Sequence, residues 1–142
     1  MALLETTLSM VVDTTLGSWL GSMVFFSFIA APTTFDVLGD DAGRVVNAIF
    51  PKYYAFGQIL GFTAFTAVLV AGSEGMLGST LSLSIQVLLL VALSATIYSR
   101  AVLVPRMKEA GDDGFARYHG QSVLLNGVAM LAVAGGLVLS HL

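Results

Sequence analysis

The sequence predicts an all-α integral membrane protein, built as a four-transmembrane-helix bundle, and three observations lead to this fold class. Of the 142 residues, 56% are apolar and only 11% are charged, and the mean hydropathy is +0.89. Soluble domains carry about 25% charged residues, so this chain has too few charges to cover a soluble core. Long windows without charge recur along the chain, and their apolar runs lack the alternation that is typical of membrane β-strands.

Four windows without Asp, Glu, Lys or Arg divide the chain. They cover residues 14–35, 53–73, 75–99 and 118–142. Each exceeds the roughly 20 residues that a helix needs to cross about 30 Å of hydrocarbon. The sequence therefore predicts one domain over residues 1–142, whose four transmembrane helices cover about 8–36, 48–72, 77–104 and 114–140.

The first predicted helix combines small residues with a proline. Gly17 and Gly21 form a Gly-x-x-x-Gly pair, which lets two helices approach closely in lipid. Pro32 has no backbone N–H to offer the carbonyl of Phe28, and it predicts a kink near the end of this helix.

The second predicted helix begins after Asn47, which we interpret as its N-cap, and carries Pro51 close to its start. Gly57 and Gly61 repeat the Gly-x-x-x-Gly spacing further along. Two interpretations of the glycine pairs are open. They serve packing within the bundle, or one of them is a contact between copies of the chain in a homo-oligomer.

The third and fourth helices complete the predicted topology. A short turn containing Gly72 and Gly75 precedes the third helix, and Pro105 marks its end. All six basic residues flank the two longer connections; they are Arg44, Lys52, Arg100, Arg106, Lys108 and Arg117. The positive-inside rule therefore places the loops over residues 37–47 and 105–113 in the cytoplasm. Both termini are then expected on the extracytoplasmic side of a multi-pass cell-membrane protein.

Polar residues inside the predicted spans lie at comparable depths in the cytoplasmic half. Asn126 lies roughly 13 Å beyond Arg117, and Ser27 lies roughly 13 Å before Asp36, at 1.5 Å per residue. The predicted polar cluster comprises Gln58, Arg100, Arg106, His119, Ser122 and Asn126. Two interpretations are open: hydrogen bonding between helices, or a polar vestibule that opens to the cytoplasm.

The most specific expectation for this cluster concerns Asn126. It shares a helix face with Ser122 and His119, because residues three and four apart lie on one side of a helix. An unsatisfied amide in hydrocarbon costs several kcal/mol. We therefore expect Asn126 to point into the bundle and to make at least one interhelical hydrogen bond or a contact with ordered water, with His119 at the mouth of the same space.

The sequence has few residues that could form a catalytic, nucleotide-binding or metal-binding motif. The sequence has no cysteine, no P-loop and no Ser-His-Asp set. His119 and His141 lie about 33 Å apart along one predicted helix, too far to share a metal ion. We therefore predict no catalytic, cofactor-binding or metal-binding residues and no cofactor. Without a basic stripe, we also predict no nucleic-acid partner.

Two stretches of the sequence resemble a known family. The first runs from Phe28 to Phe35 and continues with residues 42–43 and 50–57; the second includes residues 104–106 and 115–126. The matching positions are Pro32, Phe35, Gly43, Pro51, Tyr53, Tyr54, Gly57, Pro105, Arg106, Phe115, His119, Ser122 and Asn126. The pattern is similar to that of the transmembrane-protein-205-like family of small four-helix membrane proteins. This resemblance implies a fold and a membrane location but no reaction.

Three functions fit the sequence. We favour a non-enzymatic accessory or structural component that assembles through its Gly-rich helix faces, because no catalytic constellation is present. Its expected surroundings are the lipid bilayer and either copies of itself or a larger membrane protein. The alternatives are an oligomeric transporter of a small solute or ion with a polar cytoplasmic-side vestibule, and a membrane enzyme acting on a lipid or a tetrapyrrole.

Overall fold

The computed structural model describes residues 1–142, apart from the side chains of Asp112 and Asp113. Its secondary structure is helical wherever it is regular, which confirms the all-α prediction. The α-helices are α1 (Ala2–Phe25), α2 (Ala31–Leu38), α3 (Ala42–Ser73), α4 (Ser79–Tyr98), α5 (Val104–Glu109) and α6 (Asp112–Leu139). Two π-helical turns, Phe26–Ala30 and Ser99–Leu103, join α1 to α2 and α4 to α5. A 3-10 turn, Gly39–Asp41, precedes α3.

Among the described residues, three helical stretches are long and apolar enough to cross a membrane, as expected of a membrane protein. They are Ala2–Ser73, Ser79–Glu109 and Gly114–Leu139. The first stretch contains a reversal, because α1 and α3 contact each other. At this reversal Gly39 has a φ of +52°, in a region that glycine adopts without the steric cost of a Cβ.

The four longest helices pack against one another around a shared apolar core. α1 contacts α3 and α6, and α4 contacts the same two helices. Fully buried side chains in this core include Leu16, Trp19, Ile85, Leu89 and Val133. A second apolar cluster lies nearer the α2–α3 connection, and its buried members are Val46, Phe50, Tyr54, Leu103, Val104 and Met107.

Helix α3 is longer at its start than the sequence suggests. It begins at Ala42 rather than near residue 48, so Asn47 is not its N-cap and Pro51 lies in its interior. Most of the two predicted loops, 37–47 and 105–113, is also helical. The extension of α3 is stabilised by burial, because Val46 and Phe50 are buried in the second cluster together with Leu103. Tertiary packing of this kind outweighs the single backbone bond that a proline removes.

The two Gly-x-x-x-Gly pairs occupy different surroundings. A Cβ added at Gly61 would lie 2.6 Å from the Trp19 ring, and one added at Gly57 would meet the indole nitrogen of the same ring. This second pair therefore lets α1 and α3 pack closely. A Cβ added at Gly17 or Gly21 would meet nothing within 4 Å. The first pair therefore faces open space in the single chain.

Candidate functional site

A cavity of about 370 Å³ lies where α1 passes into α2. Its walls come from the turn Phe26–Ala30, from α2, from α3 and from α6. α1 contacts α6, whereas no described Cα atom of Phe26–Leu38 lies within 8 Å of one in α6. The chain thus diverges from α6 at the π-helical turn, and the resulting gap forms the cavity.

The π-helical turn is tied to the proline that follows it. The backbone N–H of Ala31 donates to the carbonyl of Phe26, five residues earlier rather than the four of an α-helix. Pro32, the next residue, has no N–H to donate. Single π-helical turns of this kind are frequent at functional sites. The sequence predicted a local distortion here, and the structure shows that it takes the form of a widened turn.

The lining of the cavity is mainly aromatic. The Phe26 and Tyr53 rings stack with their centroids 4.7 Å apart. Of the described side chains that line the cavity, none belongs to Asp, Glu, Lys or Arg. The aromatic lining residues are Phe26, Phe28, Phe35, Phe50, Tyr53 and Tyr54. Such a surface suits a neutral molecule with apolar faces.

Asn126 forms the centre of a polar network on the cavity wall. The Tyr53 hydroxyl donates to Asn126 Oδ1 at 2.6 Å, and Asn126 Nδ2 donates to Ser27 Oγ at 2.9 Å. These bonds join α6 to α3 and to the π-helical turn. Asn126 therefore points into the interior and makes interhelical hydrogen bonds, as its depth in the sequence predicted.

A second polar group lies on the same face of α6, one to two turns closer to the start of the helix. Ser122 Oγ and the Tyr54 hydroxyl lie 2.7 Å apart and form a buried hydrogen bond. The His119 ring stacks on Phe115, with the ring centroids 5.5 Å apart. Its Nδ1 is buried and has no hydrogen-bond partner. Buried polar atoms are nearly always paired, so this nitrogen is an exception among the described residues, and with almost no accessible surface it does not face the open cavity.

The structure brings together only part of the predicted polar cluster. His119, Ser122 and Asn126 line the cavity, but Gln58, Arg100 and Arg106 do not. Arg100 donates to Gln58 Oε1 at 3.1 Å in an exposed pair, and the Arg106 guanidinium lies 5.9 Å from the centre of the Tyr118 ring. Long basic side chains keep their charged ends at an exposed surface, so similar depth along the helices does not bring them into the cavity.

Tyr53 and Tyr54 were missed as hydrogen-bonding members of the site. Both tyrosines directly follow Lys52, at the first positions of the charge-free window 53–73, so the sequence places them at the edge of that window. In the structure α3 continues from Ala42 past both residues, and their hydroxyls bond to Asn126 and Ser122 of α6. Their presence among the positions of the family resemblance was the available signal.

No three His, Cys, Asp or Glu side chains form a possible metal-binding group in the part of the chain that the structure describes. The described cavity instead offers hydroxyl, amide and imidazole groups beside aromatic rings, which suit hydrogen bonding to a small organic molecule.

Comparisons with known proteins give a family but no activity. The model of a domain of unknown function, DUF4149, matches residues 14–116. A protein of Aquifex aeolicus (strain VF5), described as an uncharacterized protein, is 37% identical over 125 residues, which cover 84% of this chain and 86% of that protein. No solved structure matches the chain. Neither match concerns the transmembrane-protein-205-like family, so that resemblance stays a prediction.

Proposed function

The chain belongs to the DUF4149 family, and on that premise we propose that it is a non-enzymatic membrane protein that binds a small apolar molecule between α2, α3 and α6. The observation that carries this proposal is the cavity beside the π-helical turn. Its volume of about 370 Å³ falls within the 300–1,000 Å³ that is usual for small-molecule sites. An apolar lining with a few placed polar groups is also typical of such sites.

We also propose that the protein crosses the cell membrane four times, first through α1 with the π-helical turn and α2, and then through α3, α4 and α6. Loops 37–47 and 105–113 then face the cytoplasm, and both termini face outward. The positions of the basic residues support this orientation. His141, near the C-terminus, lies 3.1 Å from Asp13 of α1, which agrees with one side for both termini. Kinship with the transmembrane-protein-205-like family is part of this proposal.

Self-association is a second candidate function, favoured by the glycine pair of α1. Gly17 and Gly21 face open space, so this face is accessible to a second copy or to a larger membrane partner, as an accessory component requires. A transporter of a hydrophilic solute or ion has less support, because the described cavity lining carries no formal charge and is mainly aromatic.

The binding proposal can be tested by filling the cavity. Ala31 lines it, so Ala31→Phe should occupy the space without removing a hydrogen-bonding group. We expect native mass spectra of the wild type, purified from membranes, to show a bound small molecule that Ala31→Phe lacks. The same spectra report the number of copies in each assembly.

Ala101→Phe is the matched control, because Ala101 is exposed and does not line the cavity. This variant should retain the bound molecule. The proposal is wrong if the wild type carries no such molecule, or if Ala31→Phe retains as much of it as the control.

A further inference from the structure

We infer that the bound molecule is a neutral amphiphile with a flat, carbonyl-bearing ring and an apolar tail, which is the chemistry of an isoprenoid quinone. The inference rests on the proposed function, since it names the ligand class of the same cavity. Four properties of the cavity support it: hydrogen-bond donors with no acceptor among the described contacts, aromatic walls, the absence of charge among the described lining residues, and an opening to one side.

Two donor hydrogens on the cavity wall have no acceptor among the described contacts. Asn126 Nδ2 carries two hydrogens and gives one to Ser27 Oγ. The Ser27 hydroxyl accepts that bond and makes no described donation of its own, in contrast to Ser22, which donates to the carbonyl of Trp19. The two donor atoms lie 2.9 Å apart. The second Nδ2 hydrogen points about 120° away from the first, so an acceptor in line with it lies roughly 5 Å from Ser27 Oγ. The two hydrogens can therefore each donate to a separate acceptor atom of one bound molecule.

His119 lines the cavity with its ring, but its Nδ1 has almost no accessible surface and adds no donor to the wall. The polar groups with unused capacity are chiefly donors. A donor-rich wall recognises an acceptor, and a carbonyl oxygen is a neutral acceptor with no hydrogen of its own.

The aromatic walls favour a flat ring over an aliphatic chain. Phe26 stacks on Tyr53, and Tyr53 lies edge-on to Tyr54 with ring centroids 5.1 Å apart. Aromatic rings in such an arrangement gain roughly 0.5–1.5 kcal/mol per pair beyond burial. A conjugated ring can join this group of rings, whereas an acyl chain gains only burial.

The uncharged lining excludes a phospholipid head group from the cavity. The described lining has no Lys or Arg to pair with a phosphate, and an unpaired charge in an apolar site is very costly. The volume of about 370 Å³ lies at the lower end of the 300–1,000 Å³ that is usual for small-molecule sites. A substituted ring fits such a space, whereas a long tail extends beyond it.

The cavity is open beside the π-helical turn and α6, and this opening provides the exit for that tail. Phe28 of the turn and Val123 of α6 line the cavity and are 69% and 58% exposed. Both are apolar residues in stretches that are able to span a membrane. The tail can therefore extend into lipid while the ring remains against Asn126 and Ser27.

The test measures binding of 2-decyl-1,4-benzoquinone to the full chain in lipid nanodiscs. We expect saturable binding of one molecule per chain. Decylbenzene, with the ring and tail but no carbonyl, should bind at least about tenfold more weakly. Asn126→Leu and the milder Ser27→Ala should each weaken quinone binding by about fivefold to tenfold, as expected for a lost hydrogen bond of about 1 kcal/mol.

Gln86→Leu is the matched control for Asn126→Leu. Gln86 is also an amide within a predicted span, but it bonds to Ser82 on α4 and does not line the cavity. Its replacement should leave quinone binding unchanged. Equal binding of decylbenzene and the quinone, or unchanged binding in Ser27→Ala, would overturn the inference.

A third probe separates failure of this inference from failure of the proposed function. Dioctanoylglycerol has ester carbonyls but no ring. If it binds in the cavity and the quinone does not, the quinone inference is wrong and the binding function stands. If none of the three probes binds and Ala31→Phe changes nothing, both proposals are wrong.

Discussion

At the scale of single residues, Asn126 connects parts of the chain whose backbones do not approach each other. Its bond to Ser27 crosses the gap between α6 and the π-helical turn, and its bond from Tyr53 reaches α3. Interhelical hydrogen bonds between side chains in membranes contribute about 0.6 kcal/mol on average and up to about 1.7 kcal/mol. Two such bonds stabilise the protein modestly, but they also limit how far the cavity walls can move apart.

Removing one of these bonds should therefore cost little stability. Tyr53→Phe deletes the donor to Asn126 and keeps the ring that stacks on Phe26. We expect the free energy of unfolding in detergent to fall by about 0.6–1.7 kcal/mol. Tyr98→Phe is the control, because Tyr98 is exposed and its hydroxyl makes no described hydrogen bond. An unchanged stability in Tyr53→Phe would mean that this bond is energetically neutral.

At the scale of helices, each π-helical turn is followed directly by a short helix whose second residue is a proline. The N–H of Ala31 bonds to Phe26, and the N–H of Val104 bonds to Ser99, each five residues back. Pro32 and Pro105 follow directly, near the first turns of α2 and α5, where a missing N–H is well tolerated. Pro51 differs, because it lies in the interior of α3.

This difference predicts opposite effects of replacing the prolines. Pro51→Ala supplies a backbone donor for the carbonyl of Asn47 and relieves the crowding of the proline ring, so it should stabilise α3 by as much as about 3 kcal/mol. Pro32→Ala should give little or no gain in stability, because Pro32 lies in the first turn of α2, where a missing N–H is well tolerated. Thermal unfolding of the two variants in the same detergent measures the contrast. A loss of stability in Pro51→Ala would contradict the prediction.

Charge-free windows predicted helices well but placed the start of α3 poorly. The second window starts after Lys52, and Asn47 was interpreted as the N-cap. Both residues instead lie inside α3, where the side chain of Lys52 is exposed. Periodicity also predicted the shared face of His119, Ser122 and Asn126, because all three lie on one regular helix. The π-helical turn could not be predicted, since one added residue in a turn leaves no mark on an apolar pattern.

At the scale of the whole molecule, the two ends of the packed helices carry different charged and polar residues. Asp13 and His141 join α1 to the chain end after α6, and Glu5, Asp13 and His141 line one small cavity with Met76 and Leu77. The basic residues lie instead on the helices around the two other connections. This distribution is the basis of the proposed orientation.

The orientation can be tested directly because the sequence has no cysteine. Single cysteines introduced at Ser73 and at Ser140 should react with a membrane-impermeant thiol reagent added to intact cells. A cysteine at the exposed Lys108 should react only after the membrane is opened. Labelling of Lys108→Cys alone in intact cells would reverse the proposed orientation, and labelling of only one of the first two would change the number of crossings.

Trp19 is the sole tryptophan of the chain, and its ring is almost fully buried between Gly57 and Gly61, with 1% of its surface exposed. Its fluorescence emission therefore arises from one position, the contact between α1 and α3. Since α1 continues into the π-helical turn and α3 carries Tyr53, a change in helix spacing at the cavity should alter this emission. The protein thus contains a built-in optical reporter of whether the contact between α1 and α3 changes when a molecule binds in the cavity.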